Sequence, residues 1–365
     1  MSKTSSLELT LTRNWLRKGP LACALWPLSL LFGALSGLRG ALFRWGVLKS
    51  ERLPVPVVVV GNIFIGGTGK TPLTIWLVQA LQQAGFTPGV ISRGFGSKDG
   101  APRLVGPRST PQEVGDEPLL IALRTGCPVM VGRDRAAAGR ALLALNPAVD
   151  VLVADDGLQH YKLQRDVEIV LFDGRGVGNG WLLPAGPLRE PPSRRRDFTV
   201  VNTAALTAEL ADSVAPLSSM AQRALGRAAA TGQASVPVQM VLAGDIAERL
   251  ADRSERVPLA ELARRPLRIA AAAGIGNPAR FFGMLRAAGL DVIELPLPDH
   301  HDFLDHPFDG LDADLILMTE KDAVKCAQIE ELRDDPRLWV VPVTARIDAA
   351  LAEYIVEKCR GCSSA

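Results

Sequence analysis

Cysteine, histidine and net charge are all scarce in this chain of 365 residues, and each scarcity excludes a class of protein. The five cysteines are an odd number and lie scattered at Cys23, Cys127, Cys326, Cys359 and Cys362. That spacing offers no disulfide framework and points to a reducing compartment. Cys359-Arg-Gly-Cys362 has CxxC spacing, but it lacks a second pair and sits at a polar terminus, so neither a metal knuckle nor a redox centre is expected there. A formal net charge of only +2 supplies no global field for nucleic acid, and none is expected as a partner. Of the four histidines, His300, His301 and His306 crowd into residues 297–306. No H-x₃-H or cysteine pattern accompanies them, which leaves a solvent-facing loop and a zinc site both open. There is no internal repeat, and no obligate protein partner is evident.

Charge is also missing from one stretch near the N-terminus. Arg13, Arg17 and Lys18 precede an uncharged run from Gly19 to Leu38, and Arg39, Arg44, Lys49 and Arg52 follow it. No clean small-residue cleavage site follows the run, which argues against a signal peptide. A spanning helix needs about 20 apolar residues, and this run barely reaches that length while containing Pro20 and Pro27. An interfacial helix or helical pair fits better, with Trp15, Trp26 and Trp45 at headgroup depth and the cations facing anionic lipid. The expected partner is therefore a membrane surface, met in a peripheral or monotopic way.

What the chain does contain is a phosphate-binding turn. Val57–Val60 is an apolar strand, and Gly61-Asn-Ile-Phe-Ile-Gly-Gly-Thr-Gly-Lys-Thr-Pro72 follows it. Gly66, Gly67 and Gly69 can take backbone angles closed to residues with a Cβ, so consecutive N–H groups can turn inward around an anion. Lys70 would reach the β and γ phosphates, Thr71 would offer its hydroxyl to Mg²⁺, and a helix starting near Pro72 would aim its positive end at the same charges. The strict pattern G-x-x-x-x-G-K-[ST] is not met, because its first glycine falls at Phe64. The expected nucleotide contacts are Asn62, Ile63, Phe64, Ile65, Gly66, Gly67, Thr68, Gly69, Lys70 and Thr71, with ATP and Mg²⁺ as cofactors.

From residue 55 to about 175 strand-like and helical segments alternate, which predicts a parallel sheet covered on both faces. Strands are expected at 57–60, 87–91, 128–131, 149–154 and 167–172, with helices at 71–84, 117–125 and 133–145. A connector rich in glycine and proline follows, and strands return at 198–202, 239–242, 267–272, 291–295, 315–318 and 339–343. The stretch 204–235 reads as a variable surface segment. Four regions result: a membrane-associated segment at 1–50, a nucleotide-binding core at 51–175, the connector at 176–197 and a second α/β domain at 198–365.

Ligands of such sheets lie beyond the carboxyl ends of the strands, and two acidic pairs fall there. Asp155 and Asp156 close the strand at 149–154, where a nucleotide-binding protein places carboxylates that hold Mg²⁺. Asp116 and Glu117 open a helix, a position that the helix dipole favours for acids in any protein.

Together with these, Ser92-Arg-Gly-Phe95, Val114-Gly-Asp-Glu-Pro118, Asp155-Asp-Gly-Leu-Gln-His160, Asn179–Pro191, Gly274-Ile-Gly-Asn-Pro-Ala-Arg-Phe-Phe282, Asp299-His300 and Thr319-Glu-Lys-Asp-Ala-Val-Lys325 resemble the tetraacyldisaccharide 4′-kinase family, the lipid A kinases of Gram-negative bacteria. The match runs in order to about Val343; Phe95 departs from it, standing where the family has Tyr. The resemblance implies a P-loop-like α/β fold of two α/β/α domains joined by a short strand linker. It also implies phosphoryl transfer from ATP to the 4′-hydroxyl of an acylated glucosamine disaccharide 1-phosphate, yielding lipid IVA at the cytoplasmic face of the inner membrane. The family's catalytic pair falls on Asp116, which would accept the hydroxyl proton, and His300, which would orient it. Glu117 would join Thr71, Asp155 and Asp156 around Mg²⁺.

Arg189 is the candidate for the lipid's own phosphate, since a guanidinium binds phosphate at two points. Arg93, Arg133 and Arg135 compete for that role. The reading to set against the kinase is a membrane-associated ATPase switch of the partitioning or targeting type, which would need no acceptor site and no general base.

Overall fold

The computed structural model describes residues 14–94, 100–215 and 237–362. The strands are Val57–Gly61 (β1), Pro88–Ser92 (β2), Arg103–Leu104 (β3), Val129–Val131 (β4), Val151–Asp155 (β5), Val167–Asp173 (β6), Phe198–Asn202 (β7), Val238–Ala243 (β8), Ile246–Arg249 (β9), Arg256–Pro258 (β10), Ile269–Ala273 (β11), Val292–Pro296 (β12), Leu315–Thr319 (β13), Leu338–Val341 (β14) and Thr344–Ile347 (β15). Shorter turns aside, the helices are Pro20–Arg44 (α1), Lys70–Gln83 (α2), Asp116–Thr125 (α3), Arg135–Leu145 (α4), Pro278–Ala287 (α5), Glu320–Cys326 (α6) and Ala349–Cys362 (α7).

Among the described residues these strands form two sheets, nine strands in the order β15-β8-β7-β6-β1-β5-β2-β4-β3 and six in the order β10-β9-β14-β13-β11-β12. The first is parallel from β8 to β4 with antiparallel edges, and the second is parallel from β14 to β12. Parallel strands need crossover connections that cover both faces, so the inner strands β1, β2, β4, β5 and β11 are buried throughout. Leu73, Leu77, Leu81, Ile121, Leu351 and Ile355 from α2, α3 and α7 pack on one face of the first sheet. Leu142 of α4 and Leu188 of the connector pack on the other. Phe282 and Leu285 cover one face of the second sheet, and Phe303, Phe308 and Cys326 cover the opposite one.

The expected boundary at residue 198 is not where the sheets divide. Strands β7, β8 and β15 and helix α7 complete the first layer system, and residues 246–341 form the second sheet as an insertion between β8 and β15. The strand expected at 339–343 ends sooner, and a strand that was not expected follows it: the chain leaves the second sheet after Val341, passes Pro342, and enters the first at Thr344. Gly244 lies at the outward crossing, where a Cβ would stand 3.0 Å from the Pro342 carbonyl of the return crossing. Strands β3, β9 and β10 were not legible, being short strands, β3 and β10 at sheet edges, that carry arginine or glutamate in place of an apolar run. Most of the stretch expected as a surface segment at 204–235 lies outside the described residues, as does Phe95.

Helix α1 runs unbroken through Pro27 for 25 residues. It lies against the connector through Trp26, Ser29 and Gly33, and against Tyr161 near its end. Ser29 Oγ donates to Leu182 O at 2.8 Å and accepts from Ala185 N at 2.9 Å. Trp26 meets Trp181 with ring centroids 6.3 Å apart, and Phe43 meets Tyr161 at 5.9 Å. Its other face leaves Leu28, Leu30, Leu31, Leu35 and Leu38 more than half exposed.

Candidate active site

The turn after β1 is held in shape from within. Gly66 and Gly69 stand at φ +100° and +99°, the left-handed region that a side chain disfavours. The fully buried Asn62 amide donates to Phe64 O at 2.6 Å and to Thr68 Oγ1 at 3.0 Å, and its Oδ1 accepts from Lys70 Nζ at 3.3 Å. Asn202, at the end of β7, donates to Thr68 O at 2.9 Å. A Cβ on Gly69 would come within 2.5 Å of that Asn202 nitrogen, so this glycine is required for space as well as for angle. The connector braces the turn through Ile65 N to Pro187 O at 2.9 Å and Arg189 N to Ile63 O at 2.7 Å. The connector thus supports the turn from behind and reaches the cleft itself through Arg189. Helix α2 then starts at Lys70, its free N–H groups directed at the turn.

Beside it, β5 delivers two carboxylates with different surroundings. Asp155 is 1% exposed and accepts from Thr74 Oγ1 at 3.0 Å and Ser92 Oγ at 3.3 Å. Burial, reinforced by the negative charge of Glu117, pushes its carboxyl up to about 6. Asp156 lies 3.8 Å from Lys70 Nζ and 3.3 Å from Arg189 Nη1. Burial would raise its pKa, but those two cations outweigh burial and hold it below the usual carboxylate value. Arg135 is buried under this pair, donating to Gly132 O at 2.6 Å, and burial lowers its pKa to about 10. Arg135 is therefore a support of the strand ends and is removed from the candidates for lipid phosphate. Arg93 and Arg189 both line the cleft, while Arg133 does not.

The third group comes from both sheets. Gly115, at φ +90°, turns the chain so that Asp116 opens α3 with its carboxylate buried. Asp116 Oδ1 accepts from Glu117 N at 2.9 Å, and Asp116 Oδ2 faces His300 Nδ1 at 3.0 Å. His300 sits at φ +60°, and Asp156 at +49°. Left-handed backbone at a non-glycine residue costs on the order of 1 kcal/mol or more, a kind of strain that concentrates at functional sites. Lys321 Nζ, at the start of α6, joins Asp299 at 3.1 Å and Glu117 at 3.2 Å and approaches Asp116 at 3.9 Å. Burial would raise the Asp116 pKa, but the His300 hydrogen bond and the Lys321 and Lys325 charges hold it below the ordinary value. The same hydrogen bond raises the His300 pKa against the opposing effect of burial.

That sign can be tested directly. Asp116→Asn removes the carboxylate whose hydrogen bond and charge favour the imidazolium, while Lys321 continues to oppose it. The His300 pKa should therefore fall, as followed by the pH dependence of its ring proton shifts in NMR. An unchanged midpoint would mean that the pair is not formed in solution.

The glycines and acids of these motifs are readable locally, but Lys321 and Asn202 were not assigned roles from sequence. Lys321 lies inside a recognisable motif, and its pairing across 204 residues with Glu117 is what shows its place. The histidine crowd separates: His300 turns to Asp116, while His301 Nε2 faces Asp305 at 3.4 Å near Asp302. Cys359 is buried in the core of the first sheet, which uses that sulfur for packing.

All three groups line one cleft of about 800 Å³ between the sheets. Thr71, Glu117, Asp155 and Asp156 present hard oxygen donors to it, the chemistry that suits Mg²⁺. Such a cleft can hold a nucleoside triphosphate on the loop and bring a hydroxyl to Asp116.

Comparison with known proteins agrees with this chemistry. The LpxK family model, described as tetraacyldisaccharide-1-P 4′-kinase, matches residues 21–360. The tetraacyldisaccharide 4′-kinase of Janthinobacterium sp. (strain Marseille) is 61% identical over 365 residues, covering 99% of each chain. That of Herminiimonas arsenicoxydans is 57% identical over 374 residues, covering 99% of this chain and 98% of its own. A crystal structure of LpxK from Aquifex aeolicus in complex with ATP superposes with a TM-score of 0.72 at 28% identity, covering 94% of this chain and 99% of that one.

Proposed function

This chain belongs to the tetraacyldisaccharide 4′-kinase family, and from that premise we propose that its cleft transfers the γ-phosphoryl group of ATP with Asp116 and His300 as the proton-accepting pair. The protein is a tetraacyldisaccharide 4′-kinase, a phosphotransferase of lipid A biosynthesis. The acceptor in this reading is the 4′-hydroxyl of an acylated glucosamine disaccharide 1-phosphate.

The observation that carries the assignment is the 3.0 Å contact of His300 Nδ1 with Asp116 Oδ2, between residues 184 positions apart. A sugar hydroxyl is a weak nucleophile at neutral pH, and a carboxylate within hydrogen-bond reach takes its proton as the bond to phosphorus forms. Asp116 is suited to this because it remains ionised, and His300 shares the charge that results. Lys70 and the loop amides position the phosphates and offset their charge. Thr71, Glu117, Asp155 and Asp156 are the residues that would hold Mg²⁺, which neutralises and orients the phosphate oxygens when bound. Arg189 and Arg93 remain the candidates for the lipid's phosphate, with Arg189 leaving Asp156 to Lys70 when it does so.

Transfer is tested with γ-labelled ATP and a monophosphorylated tetraacyl disaccharide, where a labelled lipid bisphosphate is expected. ATP hydrolysis that proceeds equally without lipid, and no labelled lipid, would favour the switch ATPase instead.

For location, the reading is a peripheral or monotopic attachment at the cytoplasmic face of the inner membrane through α1. The helix is long and apolar enough to cross a bilayer by length and composition, yet its packing on the connector at Trp26 and Ser29 and on Tyr161 at Phe43 supports an in-plane pose. Burying each exposed leucine would contribute up to about 1.5–3 kcal/mol. A basic residue near anionic lipid contributes about 1 kcal/mol and is screened by salt. The protein should therefore sediment with membranes, come off in detergent, and be released little by salt. Deleting residues 1–48 should preserve ATP binding and weaken turnover of lipid in vesicles. Equal activity on vesicle-embedded lipid would rule out a docking role for this segment.

A further inference from the structure

Asp322 and Lys325, one turn apart on α6, are charged, buried and outside the lining of the cleft, and the transfer step above uses neither. Taking two ions out of water is costly, so what they touch tells what they are for. Asp322 Oδ2 accepts from Gly274 N at 2.9 Å and from Thr319 Oγ1 at 2.7 Å. Its Oδ1 has no hydrogen bond among the described residues and lies 3.2 Å from Lys325 Nζ. Lys325 Nζ has none either. Its charge stands over the Phe303 ring, 5.2 Å from the centroid, and 3.8 Å from Asp116 Oδ2.

These contacts close a ring through the catalytic pair. Gly274 O accepts from His300 N at 3.2 Å, and His300 Nδ1 meets the same Asp116 oxygen that Lys325 faces. A Cβ on Gly274 would stand 2.8 Å from Asp322 Oδ1, so the close approach of this turn to α6 needs glycine. Asp322 therefore sets two groups at once: Lys325 directly, and the left-handed His300 through the backbone of Gly274. Gly274, His300, Asp322 and Lys325 all belong to the inserted domain, whereas Asp116 opens α3 of the first.

We propose that Asp322 and Lys325 are positioning residues, which build in the inserted domain a two-point socket for the Asp116 carboxylate and so assemble the base from two domains. This rests on the kinase reading and deepens it. Lys321 is no substitute, because it lines the cleft and is shared among Asp299, Glu117 and Asp116 at 3.1, 3.2 and 3.9 Å. Lys325 stands behind the cleft, so its charge stays on Asp116 whether or not the cleft is filled. Geometry held by a buried network of this kind is kept only while every member is satisfied.

The test is steady-state phosphorylation of the tetraacyl disaccharide 1-phosphate by full-length protein in detergent with Mg²⁺, with Tm measured for each variant. Lys325→Met should lower kcat at least about tenfold and leave the KM for ATP and for lipid within about twofold, because the lysine acts through Asp116 and not on substrate. In an Asp116→Asn background the same substitution should change kcat by less than about twofold, since the socket then has no charge to hold. An equal loss in both backgrounds would mark a merely structural lysine and overturn the inference. Lys325→Met also leaves Asp322 buried without its cation, so Lys325→Met/Asp322→Asn, in which neither charge stands alone, covers the case in which the single variant fails to fold. That variant too should lose at least about tenfold in kcat, and less than about twofold in the Asp116→Asn background. Wild-type kcat in it would show that the two charges serve only each other, and would overturn the socket. A wild-type protein that phosphorylates no lipid would instead strike the kinase reading, and this inference with it.

Discussion

Lys70→Ala should lose roughly 10²-fold or more in kcat/KM while the protein remains folded. The ammonium lies 3.3 Å from Asn62 Oδ1 and 3.8 Å from Asp156, and neither contact is a main tie of the turn. Asn62 keeps the bonds its amide nitrogen donates to Phe64 and Thr68, and Asp156 keeps Arg189 at 3.3 Å, so the loss is confined to the Asn62 Oδ1 acceptor. What disappears is a charge facing a phosphoryl group during transfer, where the negative charge is greatest and water is partly excluded. Steady-state kinetics at saturating lipid, with circular dichroism and Tm beside them, check the prediction. Near-normal turnover would end the assignment of this turn to nucleotide phosphate.

Asp116→Ala and His300→Ala should each lower kcat by about 10²-fold or more, within the range of general base catalysis. The double variant should be far less impaired than the product of the two single losses, because groups that act as one unit are not additive. The contact at 3.0 Å makes them such a unit. Asp116→Ala also removes one of the counter-charges of Lys321 and Lys325, at 3.9 and 3.8 Å, so Asp116→Asn belongs beside it to separate catalysis from stability. Independent, multiplicative losses would mean that the two residues serve different steps. A fully active His300→Ala would remove that residue from the mechanism.

Strands buried on both faces were legible because their apolar runs are continuous. Phe198–Asn202 coincides with its expected bounds, and Val57–Gly61 differs by one residue. The short strands Ile246–Arg249 and Arg256–Pro258 were not, because their stability comes from neighbouring strands and the pattern is not in their own residues. The helix spacing of α1 was visible, whereas the face that meets the connector depends on Ser29 reaching residues 153 and 156 positions away. The catalytic pair was named through resemblance alone. Taken locally, Asp116 reads as an acid at a helix start, and His300 as one of several histidines in a loop.

By itself the sequence determined the phosphate loop and the alternation of strand and helix around it. The reason is physical: Gly66 and Gly69 encode their own backbone angles, and an apolar run of period one encodes a strand covered on both sides. The tertiary structure alone decided that residues 246–341 are inserted between two strands of one sheet, and that Asp116, His300 and Lys321 meet. Such contacts join segments about two hundred residues apart, and no local propensity carries them. They exist because each sheet directs the carboxyl ends of its parallel strands into the same cleft, where Lys321 of the inserted domain meets Asp116 and Glu117 of the first.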